Sequence, residues 1–287
     1  LVLVLAWGGL HAWIVPRVGE LRPQLEAQAT RALGIPVRIG AVSAHSDGLV
    51  PTFELRDVVL LDAQARAALR LARVVVTLSP RSLWNLGFDQ LYVEGPELDV
   101  RRTRDGRLWV AGFDVSRGGG DEGAADWVFR QKEVVVNGGT LRWTDALRGA
   151  PPLTLRALDF VNRNGLRRHD LRLSAMPAEG QGGRLTLVGM FRQPIFSTHP
   201  GRWQDWSGQL HADFGSVDLS ALGRQSALGV RLRGGRGALR AWVDLDHGRF
   251  TGGTVDVALQ DLTATLAEGR PPLALRSVAG RLAGKWA

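Results

Sequence analysis

The chain has 287 residues, 45% of them apolar and 22% charged, the balance of a folded protein with room for one or two cores. It has no cysteine, which excludes disulfides and thiolate metal sites. The net charge of +8 is almost all arginine, scattered along the chain with acids between, so it describes a solvated surface rather than a nucleic-acid footprint.

Residues 1–15 are apolar, and His11 is their one ionisable side chain. A bilayer span takes about 20 residues. The run therefore reads as the end of a transmembrane helix. Leu1, Val4, Trp7, Trp13 and Ile14 are its candidate anchor residues, with the tryptophans at the interface. A cleaved signal peptide is the rival reading. No small-x-small site follows the run, and Trp13 and Pro16 crowd the place where one belongs.

Residues 20–33 form the one amphipathic helix expected. Leu21, Leu25, Ala29 and Leu33 repeat every fourth position, and Pro23 sits near the start, where it is tolerated. Gly34 supplies a left-handed stop and Pro36 forbids resumption. This helix packs on a sheet edge or, in a sharper reading, lids the end of an apolar groove.

From Val37 onward the pattern is β. Val37, Ile39 and Val42 open one strand, and Phe53, Leu55 and Val58 carry the next after Pro51. Residues 71–78 form a β-branched strand, and residues 82–86 read as a helical turn. Asp105-Gly106 is a hairpin turn into Leu108-Trp109-Val110. Residues 116–126, with three consecutive glycines, read as a flexible loop or linker.

Beyond it, alternation becomes regular. Asn137-Gly138-Gly139 signals a hairpin, and Gly234-Gly235-Arg236-Gly237 reads as a turn. Leu153 and Leu155 share one face of a strand, and Leu158 and Phe160 continue it after a one-residue shift. Leu171 with Leu173, and Leu185 with Leu187, alternate with polar neighbours. Leu210 with Phe214, then Leu228, Val230 and Leu232, do the same. So do Leu239, Val243 and Leu245, and finally Val255, Val257 and Leu259. A period of two with one apolar face means an antiparallel meander, wet on one side. Its apolar face is covered by a second sheet, as in a sandwich or barrel, or lines an open trough.

Catalytic and metal motifs are absent from the sequence. The histidines at 11, 45, 169, 199, 211 and 247 lack metal-ligand spacing. His45-Ser46-Asp47 holds triad residue types, but triads are assembled from distant segments. The Gly234 cluster lies between strands, not between a strand and a helix, and so fails as a phosphate cradle. No enzyme, no cofactor and no metal is expected.

Several motifs in order carry a resemblance. They are Leu33-Gly34-x-Pro36-Val37-x-Ile39-Gly40 and Val50-Pro51-x-Phe53-x-Leu55-x-Asp57-Val58-x-Leu60. Further along stand Leu141-x-Trp143-x-Asp145, Pro151-Pro152-Leu153-x-Leu155, Arg168-His169-x-Leu171-x-Leu173-x-Ala175, and Gly208-x-Leu210 before Val217-Asp218-Leu219. Together with the apolar opening they resemble the AsmA-like proteins of Gram-negative envelopes, most closely the YhdP branch. Chains of that branch are much longer, so the resemblance implies an N-terminal fragment.

The resemblance implies a mainly β fold: a long antiparallel meander curled into an open apolar groove, after an N-terminal transmembrane helix and one short amphipathic helix. This is the architecture of the bridge-like lipid transfer proteins of eukaryotes. It divides the chain into a truncated anchor at 1–16, a helix and first groove segment at 17–115, the Gly-rich linker at 116–126, and further groove repeats at 127–287. It implies a single-pass inner-membrane protein with a periplasmic body. The implied partners are phospholipid, the inner membrane, and outer-membrane or periplasmic proteins at the far end, with no nucleic acid. The alternating residues from Leu153 to Leu259 named above, Leu158 and Phe160 apart, become the groove floor. The competing class is an envelope assembly or structural factor with a closed β core.

Overall fold

The computed structural model describes residues 19–20, 22–47, 50–62, 65–79, 88–111, 113–114, 122–180, 182–220, 231–265 and 271–285. The anchor at 1–16, the turn expected at 82–86 and most of the Gly-rich run lie outside them. Among the described residues, no helix is long and apolar enough to cross a membrane.

Helix α1 (Arg22–Leu33) precedes strands β1 (Val37–Asp47), β2 (Val50–Leu61), β3 (Ala67–Thr77), β4 (Gln90–Glu94), β5 (Glu97–Arg102), β6 (Leu108–Val110) and β7 (Phe113–Asp114). Helix α2 (Glu122–Arg130) follows. Then come β8 (Glu133–Asp145), β9 (Ala150–Asn164), β10 (Arg168–Pro177), β11 (Leu185–Arg192) and β12 (Ser207–Asp218). The last three are β13 (Arg231–Asp246), β14 (Arg249–Thr265) and β15 (Leu273–Lys285).

All fifteen strands belong to one sheet, whose main path runs β1-β2-β3-β4-β8-β9-β10-β11-β12-β13-β14-β15. The first and last strands do not pair, so the sheet is open: neither a barrel nor a two-sheet sandwich forms among the described residues. It is also uncurled, which corrects the expected trough. A trough needs a bend shared by successive strands. Among the described residues, non-glycine positions with positive φ occur within only three strands, at Asp57, Ala157 and Asp261.

Further expectations are corrected. The meander is not wholly antiparallel, because β4 and β5 both run parallel to β8. No hairpin forms at Asn137-Gly138-Gly139. Strand β8 runs through it with Gly138 at φ +66°, where its partner changes from β4 to β5. The Gly95-Pro96 link between those partners still bonds there, since Gly95 N–H donates to Asn137 O (2.8 Å) and Thr140 N–H to Pro96 O (2.8 Å). Gly139 is apposed so closely that a Cβ would lie 3.3 Å from Pro96. Likewise the Gly234 cluster is no turn but the irregular part of β13, with register shifts on both sides of Gly234. Finally, Glu122–Arg130 is helical, so the expected loop is a helix from Glu122 onward.

The three left-handed residues share a device. Each sits mid-strand in β2, β9 or β14 and is flanked by apolar residues at positions two before and one after. Strict alternation would put those two on opposite faces. Instead Leu55 and Val58 enter one apolar cluster, Leu155 and Leu158 a second, and Leu259 and Leu262 a third. The left-handed turn of the chain resets the alternation, as a bulge does.

Candidate functional site

Register alone builds the site. Paired residues in neighbouring strands share a face. Following direct partners from one edge to the other gives Val42, Leu55, Val74, Val93, Val136 and Phe160. The path continues through Leu173, Leu187, Ala212, Ala241, Val255 and Leu282. Every strand of the main path contributes one apolar residue, with no polar interruption. At about 4.8 Å per strand, the eleven steps span roughly 53 Å.

The row is the axis of a wider apolar face. Three buried clusters lie along it. The first centres on Val37, Ile39, Val58, Val74, Val76 and Val134. The second holds Leu158, Ala175 and Leu185, and the third Val217, Leu219 and Leu259. Val136 touches both the first and second, and Phe214 both the second and third, so the face is continuous.

Its two ends differ. At the N-terminal end, α1 lays Leu25, Ala29 and Leu33 on the first cluster, and α2 adds Trp127 and Val128. Helix α1 is tied down by Glu26 Oε1, which accepts from Ile39 N–H (2.7 Å), and by Thr30 Oγ1, which accepts from Val37 N–H (3.0 Å). Gln131, just after α2, is buried and accepts from Phe88 N–H (2.7 Å). Toward the C-terminal end the cover is partial: Val217, Leu219 and Leu259 are buried in the third cluster. Leu173, Leu187, Val243 and Val255 are half-buried, and Leu282 is exposed.

The registers place the residues singled out from the sequence as follows. Leu171, Leu173, Leu185, Leu187, Leu210, Phe214, Leu239, Val243, Leu245, Val255 and Val257 share one face through direct pairing. Leu155 packs in the second cluster and Leu259 in the third. Leu153 pairs with Trp143, two positions from the Leu141–Leu155 pair. Leu228 and Val230 lie outside the described residues, and Leu232 is placed only by its backbone pairing with Ala264. Arg172, Arg240 and Asp244 occupy the alternate positions, on the opposite face. That face carries a charge ladder: Asp213 is opposite Arg240, Arg240 opposite Asp256, and Asp256 opposite Arg281.

One polar cluster borders the apolar face where α2 meets the β11–β12 connection, and the sequence did not announce it. His169 is buried, stacked on Trp206 (centroids 4.3 Å apart) and edge-on to Phe129 (5.5 Å). Its Nδ1–H donates to Asn164 Oδ1 (2.7 Å), and its Nε2 lies 3.3 Å from Gln193 Oε1. Burial pushes its pKa below the usual histidine value, against a weaker opposing pull from Gln193 and Asp170. Asp126 of α2, also buried, accepts from Gly201 N–H (2.8 Å) and His199 Nδ1–H (2.8 Å), which clamps the connection to the helix. The signal available in advance was the amphipathic run Trp127-Val128-Phe129 beside Gln131, hidden by the glycines before it.

No group of metal-ligating side chains gathers among the described residues. The arrangement can do one thing chemically: present a continuous low-polarity surface.

A family model described as YhdP protein matches residues 1–286, and the chain belongs to that family. No curated protein and no solved structure matches it.

Proposed function

Proceeding from that membership, we propose that this chain carries phospholipid between inner and outer membrane along its apolar face. Its N-terminal run would be a single inner-membrane anchor and its sheet a periplasmic body. The observation that supports the reading is the unbroken apolar row across twelve strands, half-buried at Leu173, Leu187, Ala241 and Val255 and exposed at Leu282. An acyl chain in water costs about 0.8 kcal/mol per CH₂. A continuous apolar floor removes that cost at every step along it, and the polar headgroup stays in solvent. No catalytic step is required. In this reading helices α1 and α2 would lid one end of the floor.

The test is in-cell photocrosslinking from a floor position, Leu187, and from an outer-face position, Arg240. Phospholipid adducts at Leu187 and none at Arg240 are expected. Protein adducts at Leu187 instead of lipid would favour the assembly-factor class.

A further inference from the structure

A second surface, on a rim of the sheet, is separate from the floor. Successive antiparallel strands reverse, so every second connection emerges on the same side. Three connections do so here, taken with the strand ends that flank them: β9–β10 (164–168), β11–β12 (192–207) and β13–β14 (246–250). They form one contiguous rim. Gln193 N–H donates to Arg167 O (3.0 Å), and Arg167 Nε–H to Gln193 O (3.1 Å). Gly248 N–H donates to Trp206 O (2.9 Å), and Ser207 Oγ–H to Asp246 Oδ1 (2.6 Å).

This rim projects large apolar side chains into solvent. Leu166 and Phe196 are each 93% exposed, and Ile195, Phe250 and Trp203 are more than half exposed. None of them contributes to a buried cluster. Between them stand Arg167, Arg168, Arg192, Arg202 and Arg249, against Asp205 and Asp246 in the same segments. Arg168 is also paired with Asp170, which leaves the balance positive.

Apolar and aromatic tips interspersed with excess arginine match the chemistry of an anionic bilayer interface. Leucine, phenylalanine and tryptophan enter the headgroup region, and the guanidinium groups meet lipid phosphates. We propose that this rim docks on the surface of an anionic bilayer. The proposal does not depend on lipid transport along the floor: docking needs the rim, and transport needs the row.

The chain has no cysteine, so single reporters can be introduced cleanly. Phe196→Cys and Leu147→Cys, each labelled with an environment-sensitive fluorophore, report the two rims. Leu147 is half-exposed in the β8–β9 connection on the opposite side. The full chain is combined with vesicles of phosphatidylcholine alone or of phosphatidylcholine with phosphatidylglycerol. With anionic vesicles the label at 196 should shift to the blue and be quenched by brominated acyl chains severalfold more than the label at 147. Each arginine near an anionic surface contributes roughly fivefold in affinity. The double variant Arg192→Gln/Arg249→Gln should therefore weaken the 196 response by more than tenfold at low salt. A label at 196 that stays aqueous on anionic vesicles, or matches the one at 147, overturns the proposal. Shielding of 196 that grows with protein concentration in the absence of vesicles would assign the rim to a second copy of the chain, and also overturns it.

Discussion

Val243→Asp separates an open floor from a covered core by stability as well as by activity. Val243 lies one row from the sheet axis, between Leu210 on β12 and Gly253 on β14. It is half-buried, and Gly253 places no side chain against it. Fully burying a valine is worth about 1.5–3 kcal/mol, so replacing this half-buried one costs about 1 kcal/mol in apolar burial. The new carboxylate can reach water over Gly253 and pays little for its charge. A total destabilisation of about 1–2 kcal/mol follows, and the protein should remain folded and abundant. In a covered core the same carboxylate would be buried unpaired, at a cost of several kcal/mol. Urea unfolding gives the first number, and lipid crosslinking from Leu187 reads the floor. The control is Arg240→Gln on the other face; a carboxylate there would stand between Asp213 and Asp256 and be repelled. We expect near-normal stability and no lipid adducts for Val243→Asp, and both retained for Arg240→Gln. A destabilisation above about 4 kcal/mol would refute the open face, and intact stability with intact lipid adducts would refute the conduit at this position.

Other outcomes follow from single groups. Ala157 holds φ +46°, which costs a residue with a Cβ about 1 kcal/mol or more; Ala157→Gly should raise the urea midpoint, and a fall would show the kink to be unstrained. Asp145 is buried against Arg102: burial pushes its carboxyl up, but the Arg102 guanidinium and the Arg148 N–H outweigh this and hold it below the usual 3.8. Its contribution is thus present above about pH 4 and lost as pH falls through the lowered value. The stability gap between the parent and Asp145→Asn should close in that acid range. His169 behaves as a depressed base: the unfolded chain takes up a proton below about pH 6.5 while the folded imidazole stays neutral. Stability should fall as pH drops below about 6.5 toward the lowered folded value, and His169→Gln should flatten that slope.

Much of the face was legible in sequence because the alternation is local. Leu171 with Leu173 and Leu185 with Leu187 declare a face within a few residues, and pairing only had to bring the faces together. What was hidden is non-local. Nothing near Leu91 or Leu98 says that β4 and β5 run parallel to β8, because the partner lies some forty residues away. Gly138-Gly139 has the composition of a tight turn, yet its role is to let Pro96 approach and to pass β8 from one partner to the next. Helix α2 was hidden because a short amphipathic run beside a glycine tract carries too few turns to show a period.

The one-residue shift before Leu158 is the most informative local sign, because it recurs. Asp57, Ala157 and Asp261 are 100 and 104 positions apart, each left-handed, each in a long strand of the main path. Opposite each, the preceding strand offers glycine: Gly40 against Asp57, Gly139 beside Ala157, Gly235 near Asp261. At Gly40 the reason is steric, since a Cβ would come within 2.9 Å of the Asp57 Cβ. Without the reset, the apolar residues beyond each kink would point into water on the charged face, and the floor would be only as wide as half a strand. With it, Leu55 and Val58 widen the first cluster, Leu155 and Leu158 the second, Leu259 and Leu262 the third. Each buried cluster has one such device. Three, spaced along the sheet, keep the apolar face broad over its length, which is what a surface needs if a long apolar ligand is to move across it without meeting water.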